Sequence, residues 1–157
     1  MAKDDEVRII FKKIGPGWAD CTINIGAAAF TMTSISYTTD ALGDLIRAAL
    51  QIAAGGQQAW CSFDREPPEW RLLLDRDIDP ELLFVRVLEF PDSYMQRAPE
   101  EGQLCFSSDC SADRFARAVC SAAAAVLSEK GEDGYSEWWG LPFPERALSS
   151  LKATLAA

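Results

Sequence analysis

The order in which hydrophobic periodicity changes along the chain is what most limits its fold. Residues 6–14, EVRIIFKKI, and 18–25, WADCTINI, alternate in polarity on either side of Gly-Pro-Gly, and this reads as an antiparallel hairpin. A third strand over 29–37, AFTMTSISY, is rich in β-branched and aromatic residues, and at Thr38 to Asp40 the pattern switches to helical period.

From that switch, Leu42, Leu45, Ile46, Ala49, Leu50, Ile52 and Ala53 fall on one arc of an amphipathic helix, with Asp40, Asp44, Arg47 and Gln51 on the other side. Thr39 is the expected N-cap, Asp40 opposes the positive end of the helix dipole, and Gly55-Gly56 supplies the stop. Asp40 and Asp44 therefore read as a solvent face and not as a catalytic pair. Gly43 costs up to about 1 kcal/mol relative to Ala inside a helix, and close packing on a sheet is its expected justification.

Strands are expected again at 58–64, 69–75 and 82–90, with QLCFSS (103–108) as a short edge strand. A second helix spans about 111–130 and ends at Gly131, with Phe115, Ala118, Val119, Ala122, Ala123 and Val126 inward. Pro144 suits the first turn of a terminal helix presenting Leu148, Leu151 and Leu155. Adjacent strands joined by short loops point to one α+β domain over residues 1–157: an antiparallel sheet of about six strands with two main helices and a C-terminal helix on one face.

The chain contains no histidine, so Ser-His-Asp and Cys-His chemistry is excluded, and neither phosphate-cradling glycine motif is present. Asp75, Asp77 and Asp79 imitate the start of a calcium loop, but Pro80 stands where the turn needs Gly and Arg86 where a bidentate Glu belongs. A charged hairpin loop is expected there, and neither metal nor cofactor. Five cysteines without a C-x-x-C pair read as buried thiols, Cys105 and Cys110 being the only close candidates for a disulfide.

A net charge of −9, from 15 Lys+Arg against 24 Asp+Glu, disfavours nucleic acid and anionic membranes and favours a basic partner. No apolar run approaches the roughly 20 residues of a membrane span, and MAKDDEVRII has no signal-peptide core, so a cytoplasmic location is expected.

Two groups of residues qualify as a partner surface. In a meander the loops at 64–69 and 91–101 share one end of the sheet, which gathers Asp64, Glu66, Glu69, Asp92, Glu100 and Glu101 opposite the 76–81 loop. Trp138 and Trp139, in what reads as a connection, either seal one end of the core or stand exposed as an anchor.

The segments I35-S-Y-T-T-D-A-L-G-D-L-I-R-A-A-L50, E66-P-P-E-W-R-L-L-L-D75 and F84-V-R-V-L-E-F90, about a third of the chain, resemble a family of small, uncharacterised bacterial proteins, some of them similar to the immunity proteins of toxin systems. That resemblance implies a cytoplasmic antitoxin that binds a basic toxin and occludes its active site, with no catalytic residue to transfer. The leading expectation is thus a non-catalytic acidic protein-binding domain. The alternative is a small-molecule-binding domain or carboxylate-dependent enzyme with a pocket between sheet and helices, and a homodimer burying the tryptophans is a third.

Overall fold

The structure, a computed structural model, describes residues 5–157. The strands are β1 (Val7–Gly15), β2 (Trp18–Ile25), β3 (Ala28–Ser36), β4 (Gln58–Asp64), β5 (Glu69–Arg76), β6 (Leu82–Phe90) and β7 (Gln103–Ser111). The helices are α1 (Ala41–Ala53), α2 (Ala112–Trp139) and α3 (Glu145–Ala156).

The class is α+β, but the strands form two antiparallel sheets, β1-β2-β3 and β4-β5-β6-β7, and not one sheet of six. The chain leaves β3 through α1, so β3 and β4 never become ladder neighbours, and the sheets meet through side chains. Phe30 of β3 packs edge-on against Trp70 of β5 and lies tilted against Phe106 of β7, and the Trp70 indole donates to the Thr33 carbonyl at 2.8 Å. β7 is a full nine-residue strand paired along β6, with a bulge between Val87 and Leu88.

One core cluster runs through both sheets and all three helices. α1 lies on β4, and α2 lies on β1. α3 rests mainly on α1 and α2, so the terminal helix packs on its fellow helices instead of the sheet, with Leu148 and Leu151 buried.

α2 breaks at Gly131, whose φ of 69° and ψ of 171° are not helical. The expected stop is real, yet the chain resumes a short helical segment that carries Tyr135, Trp138 and Trp139. The tryptophans are therefore in a regular element and not in a connection. Both point inward, at 5% and 1% exposure, because the segment's end is wedged between two neighbours. Trp138 donates to the Gly15 and Trp18 carbonyls of the β1–β2 hairpin, at 3.0 and 3.2 Å, and Trp139 donates to the Thr39 carbonyl before α1 at 2.9 Å. Edge-on contacts of both indoles with Phe11, of Trp138 with Tyr135, and of Tyr135 with Phe143 complete the seal.

Three local expectations are corrected. Asp40, not Thr39, occupies the N-cap position of α1, and its side chain makes no cap bond because its carboxylate oxygen Oδ2 accepts from Arg47 at 2.8 Å. The atoms nearest to a Cβ at Gly43 are not those of a strand: it would lie 2.1 Å from Asp40 Oδ2 and 2.8 Å from Arg47 Nη2, so glycine makes room for that ion pair. All five thiols are free, and Cys105 and Cys110, five residues apart on one strand, are separated by roughly 16 Å, well beyond disulfide reach.

Candidate functional site

The four-stranded sheet buries one face against the helices and leaves the other outward. On β4 the inward positions are Ala59, Cys61 and Phe63, so Trp60, between them, points out and is 62% exposed. Cross-strand register sets Trp60, Leu73, Arg86 and Ser107 in one outward row and Ser62, Arg71, Leu88 and Leu104 in the next. Leu104 is 56% exposed, whereas Leu73, Leu88 and Phe90 form a small buried cluster of their own.

A charged device lies on that outward face. Glu69 and Arg71, one pleat apart on β5, form a bidentate ion pair, Nε to Oε2 at 3.0 Å and Nη2 to Oε1 at 3.1 Å. The guanidinium also donates to the Arg97 carbonyl at 2.7 Å and stacks over the rings of Phe90 and Trp60, 4.1 and 5.5 Å away. Glu69 is 1% exposed and so, contrary to expectation, is no part of the acidic surface. A buried carboxylate tolerates this position only because the guanidinium fork satisfies both of its oxygens.

The loops at 64–69 and 91–101 do share one end of the sheet, since Glu69 opposes both Asp64 and Phe90 and the Ser93 hydroxyl donates to Asp64 at 3.1 Å. Asp92 is turned inward, accepting from Arg97 at 3.0 Å and from the Met95 N–H at 3.1 Å. Asp64, half-buried, accepts from the Thr38 hydroxyl at 2.6 Å and the Glu66 N–H at 3.0 Å. Desolvation works to raise the Asp64 pKa, but the bonds from Thr38, the Glu66 N–H, Ser93 and the Arg65 N–H outweigh it and hold the carboxyl below its ordinary value.

Of the acidic set, Glu66, Glu100 and Glu101 are exposed. Glu66 accepts from the Ser36 hydroxyl, and Glu101 caps its own turn by accepting from the Ala98 N–H at 2.8 Å. Tyr94 and Met95 lie exposed on the same loop, 74% and 61%. Sequence reasoning gathered the correct loops but did not separate inward acids from outward ones. It also passed over Trp60, which the alternation Ala59-Trp60-Cys61-Ser62-Phe63 places on the face opposite the core residues.

A depression of about 360 Å³ beside Trp60 is lined by Asp44, Arg47, Gln51 and Ser62 among others. Arg47 bridges Asp40 and Asp44 at 2.8 Å each, which ties these two carboxylates to a solvent-facing cation. In the 76–81 loop the Asp77 carboxylate accepts from the Ile78 N–H and that of Asp79 from the Glu81 N–H, while Asp75 pairs with Arg86 across the strands at 3.1 Å. Among the described residues, no three His, Cys, Asp or Glu side chains come together in an arrangement that could hold a metal ion.

A concavity about twice as large lies elsewhere, along β1 and α2. This groove of about 700 Å³ has an apolar floor that includes Ile9, Phe11, Ala118, Ala122 and Val126, and charged walls drawn from Glu6, Arg8, Lys12, Arg114, Arg117 and Glu129. No helix among the described residues is long and apolar enough to cross a membrane. No family model, curated protein or solved structure matches this chain.

Proposed function

We propose that this chain is a non-catalytic, acidic protein-binding domain of the immunity-protein kind, and that its partner surface is the outward face of the four-stranded sheet together with the adjoining acidic loop end. The observation that carries the reading is Trp60, an indole 62% exposed on a strand that otherwise alternates cleanly between core and solvent. Large rings left exposed above a rigid, hydrogen-bonded platform are the usual anchors of protein interfaces. Arg71, held beneath it by Glu69 and the Arg97 carbonyl, supplies that platform.

Charge chooses the partner class. Glu66, Glu100 and Glu101 rim this end of the sheet in a chain of net charge −9, so a basic surface is attracted and an acidic one repelled. A basic toxin whose active site is covered by this face fits that chemistry, and so does the immunity-like resemblance of residues 35–50, 66–75 and 84–90.

The test begins with the partner recovered from cells that make this protein, purified and identified. Glu66→Lys, Glu100→Lys and Glu101→Lys are combined, and association is followed at low and moderate salt. The on-rate is expected to fall about tenfold or more at low salt, with the difference shrinking as salt rises. If the partner is a toxin, one equivalent of the wild-type chain silences it. An unchanged on-rate and affinity for the triple variant would overturn the electrostatic half of the proposal.

A second reading, small-molecule binding between sheet and helix, draws on the groove along β1 and α2. Its lining carries Glu6 and Glu129 but four cationic residues, so it suits an anionic ligand better than a carboxylate-driven reaction.

A further inference from the structure

The groove between β1 and α2 has a property that its apolar floor alone does not convey. Val7, Ile9 and Phe11 have their side chains on the core face of β1, and Arg8, Ile10 and Lys12 have theirs on the opposite face, yet both sets line the groove. A concavity that touches both faces of a strand runs along that strand's edge. β1 is the terminal strand of its sheet, with β2 as its neighbour.

The pairing pattern shows which backbone groups open onto it. The Gly26 N–H donates to the Glu6 carbonyl at 2.9 Å, so Glu6 and Gly26 form a hydrogen-bonded pair, and the pairs Arg8 with Asn24, Ile10 with Thr22 and Lys12 with Asp20 follow in the same class. The intervening residues, Val7, Ile9 and Phe11, therefore direct their N–H and C=O groups away from β2, towards the groove. The groove follows β1 from Glu6 to Lys12, about 20 Å of extended backbone, and α2 from Arg114 to Glu129, which is about the same length of helix. The exposed side chains Ser121 and Ala125 leave the helical wall low.

We propose that this groove receives an extended acidic peptide segment of a partner, which adds to the three-stranded sheet as a fourth strand beside β1. Strand addition would satisfy the backbone groups of Val7, Ile9 and Phe11. Charge complementarity decides the occupant. Arg8, Lys12, Arg114 and Arg117 line the groove against Glu6 and Glu129, a local excess of positive charge in a chain of net charge −9. Arg117 is held by Asp113 at 2.8 Å, whereas among the described residues no ion pair engages Arg8 or Lys12. A second copy of this chain would bring its own Arg8, Lys12 and Lys13 alongside, so edge-to-edge self-pairing is repelled while an acidic strand is drawn in. This site is distinct from the Trp60 face and goes beyond the function proposed for that face.

The test uses the whole chain and a fluorescein-labelled heptapeptide alternating Asp and Val, followed by anisotropy. Saturable binding is expected. It should weaken at least tenfold when the peptide is N-methylated at alternate residues, when its Asp residues are replaced by Lys, and when the groove is filled by Ala125→Trp. Ala125 is exposed, so that variant is expected to keep its near-ultraviolet circular dichroism and melting temperature. Arg8→Glu combined with Lys12→Glu should weaken binding similarly, and Trp60→Ala should leave it unchanged, which separates this proposal from the preceding one. Absence of saturable binding to the wild-type chain would overturn it. So would binding that survives both N-methylation and Ala125→Trp, or displacement of the peptide by dodecanoate at lower concentration, which would make the groove a small-molecule site.

Discussion

Glu69 and Arg71, two residues apart on one strand, form a buried bidentate ion pair on the face of the sheet that is turned away from the core. A sheet face that only met water would not need such a pair, because exposed charges are solvated without partners. Here the guanidinium is roofed by Trp60 and Phe90 and held by the Arg97 carbonyl. The pair thus fixes the loop 91–102 and the exposed indole in one arrangement.

Removing one member should therefore cost more than removing both. Arg71→Met leaves the Glu69 carboxylate buried without its fork and is expected to destabilise the fold by about 3 to 5 kcal/mol. Glu69→Leu with Arg71→Met should recover most of that loss, as measured by urea denaturation. A double variant that loses as much as Glu69→Leu and Arg71→Met lose separately when added together would show that the pair is not energetically coupled.

Asp64 joins the β4–β5 loop to the residues before α1 through Thr38 and to the β6–β7 loop through Ser93. Its pKa is lower in the folded chain than in the unfolded one, so its contribution is present above the unfolded carboxylate value and is lost as pH falls through the folded value. Asp64→Asn is expected to cost about 1 to 2 kcal/mol at pH 7, after allowance for its partial exposure. The gap between variant and wild type should narrow as pH falls from the ordinary carboxylate range through the lowered folded-state value, and a stability difference that does not depend on pH would contradict this account.

Gly43 separates two explanations of a helical glycine. Its would-be Cβ meets only the ends of the Asp40 and Arg47 side chains at the closest distances, and both can swing away. Gly43→Ala then gains up to about 1 kcal/mol of helix propensity and gives up an exposed ion pair worth no more than about that. Thermal denaturation should place the variant within about 1 kcal/mol of wild type, whereas a loss above about 2 kcal/mol would mean that backbone packing demands the glycine.

Trp139 and Trp60 should respond in opposite ways, although both are tryptophans in regular elements. Trp139→Phe forfeits the bond to the Thr39 carbonyl and part of a filled volume, about 1 to 2 kcal/mol in all. Trp60→Ala removes an exposed ring and should change stability by less than about 1 kcal/mol. Chemical denaturation of the two variants side by side checks the contrast, and a larger loss from Trp60 would show it to be structural.

Local period made most elements legible. The alternation in β1, β2 and β4 and the apolar arcs of α1 and α2 follow from how side chains project from each element, and the buried residues match those arcs closely. Division into two sheets was not legible, because it depends on Phe30, Trp70 and Phe106 meeting across a gap that no local pattern encodes. Nor was the direction in which loop acids point. Glu69 and Asp92 are buried, and not displayed to solvent, because Arg71 and Arg97 come to meet them, and those partners are fixed only by the register of β5 and the return of the 91–102 loop. The choice between seal and anchor for Trp138 and Trp139 stayed open for a related reason, since the short helical segment beyond Gly131 is wedged between the hairpin tip and the start of α1, two places far apart in sequence.

Whether the outward sheet face anchored by Trp60 binds a basic protein is decided by calorimetric titration of the identified partner against Trp60→Ala. Near-ultraviolet circular dichroism confirms that the variant is folded. A buried aromatic anchor predicts at least a tenfold rise in Kd, chiefly through faster dissociation. An unchanged Kd in a folded variant would contradict the account and move the partner surface away from this sheet.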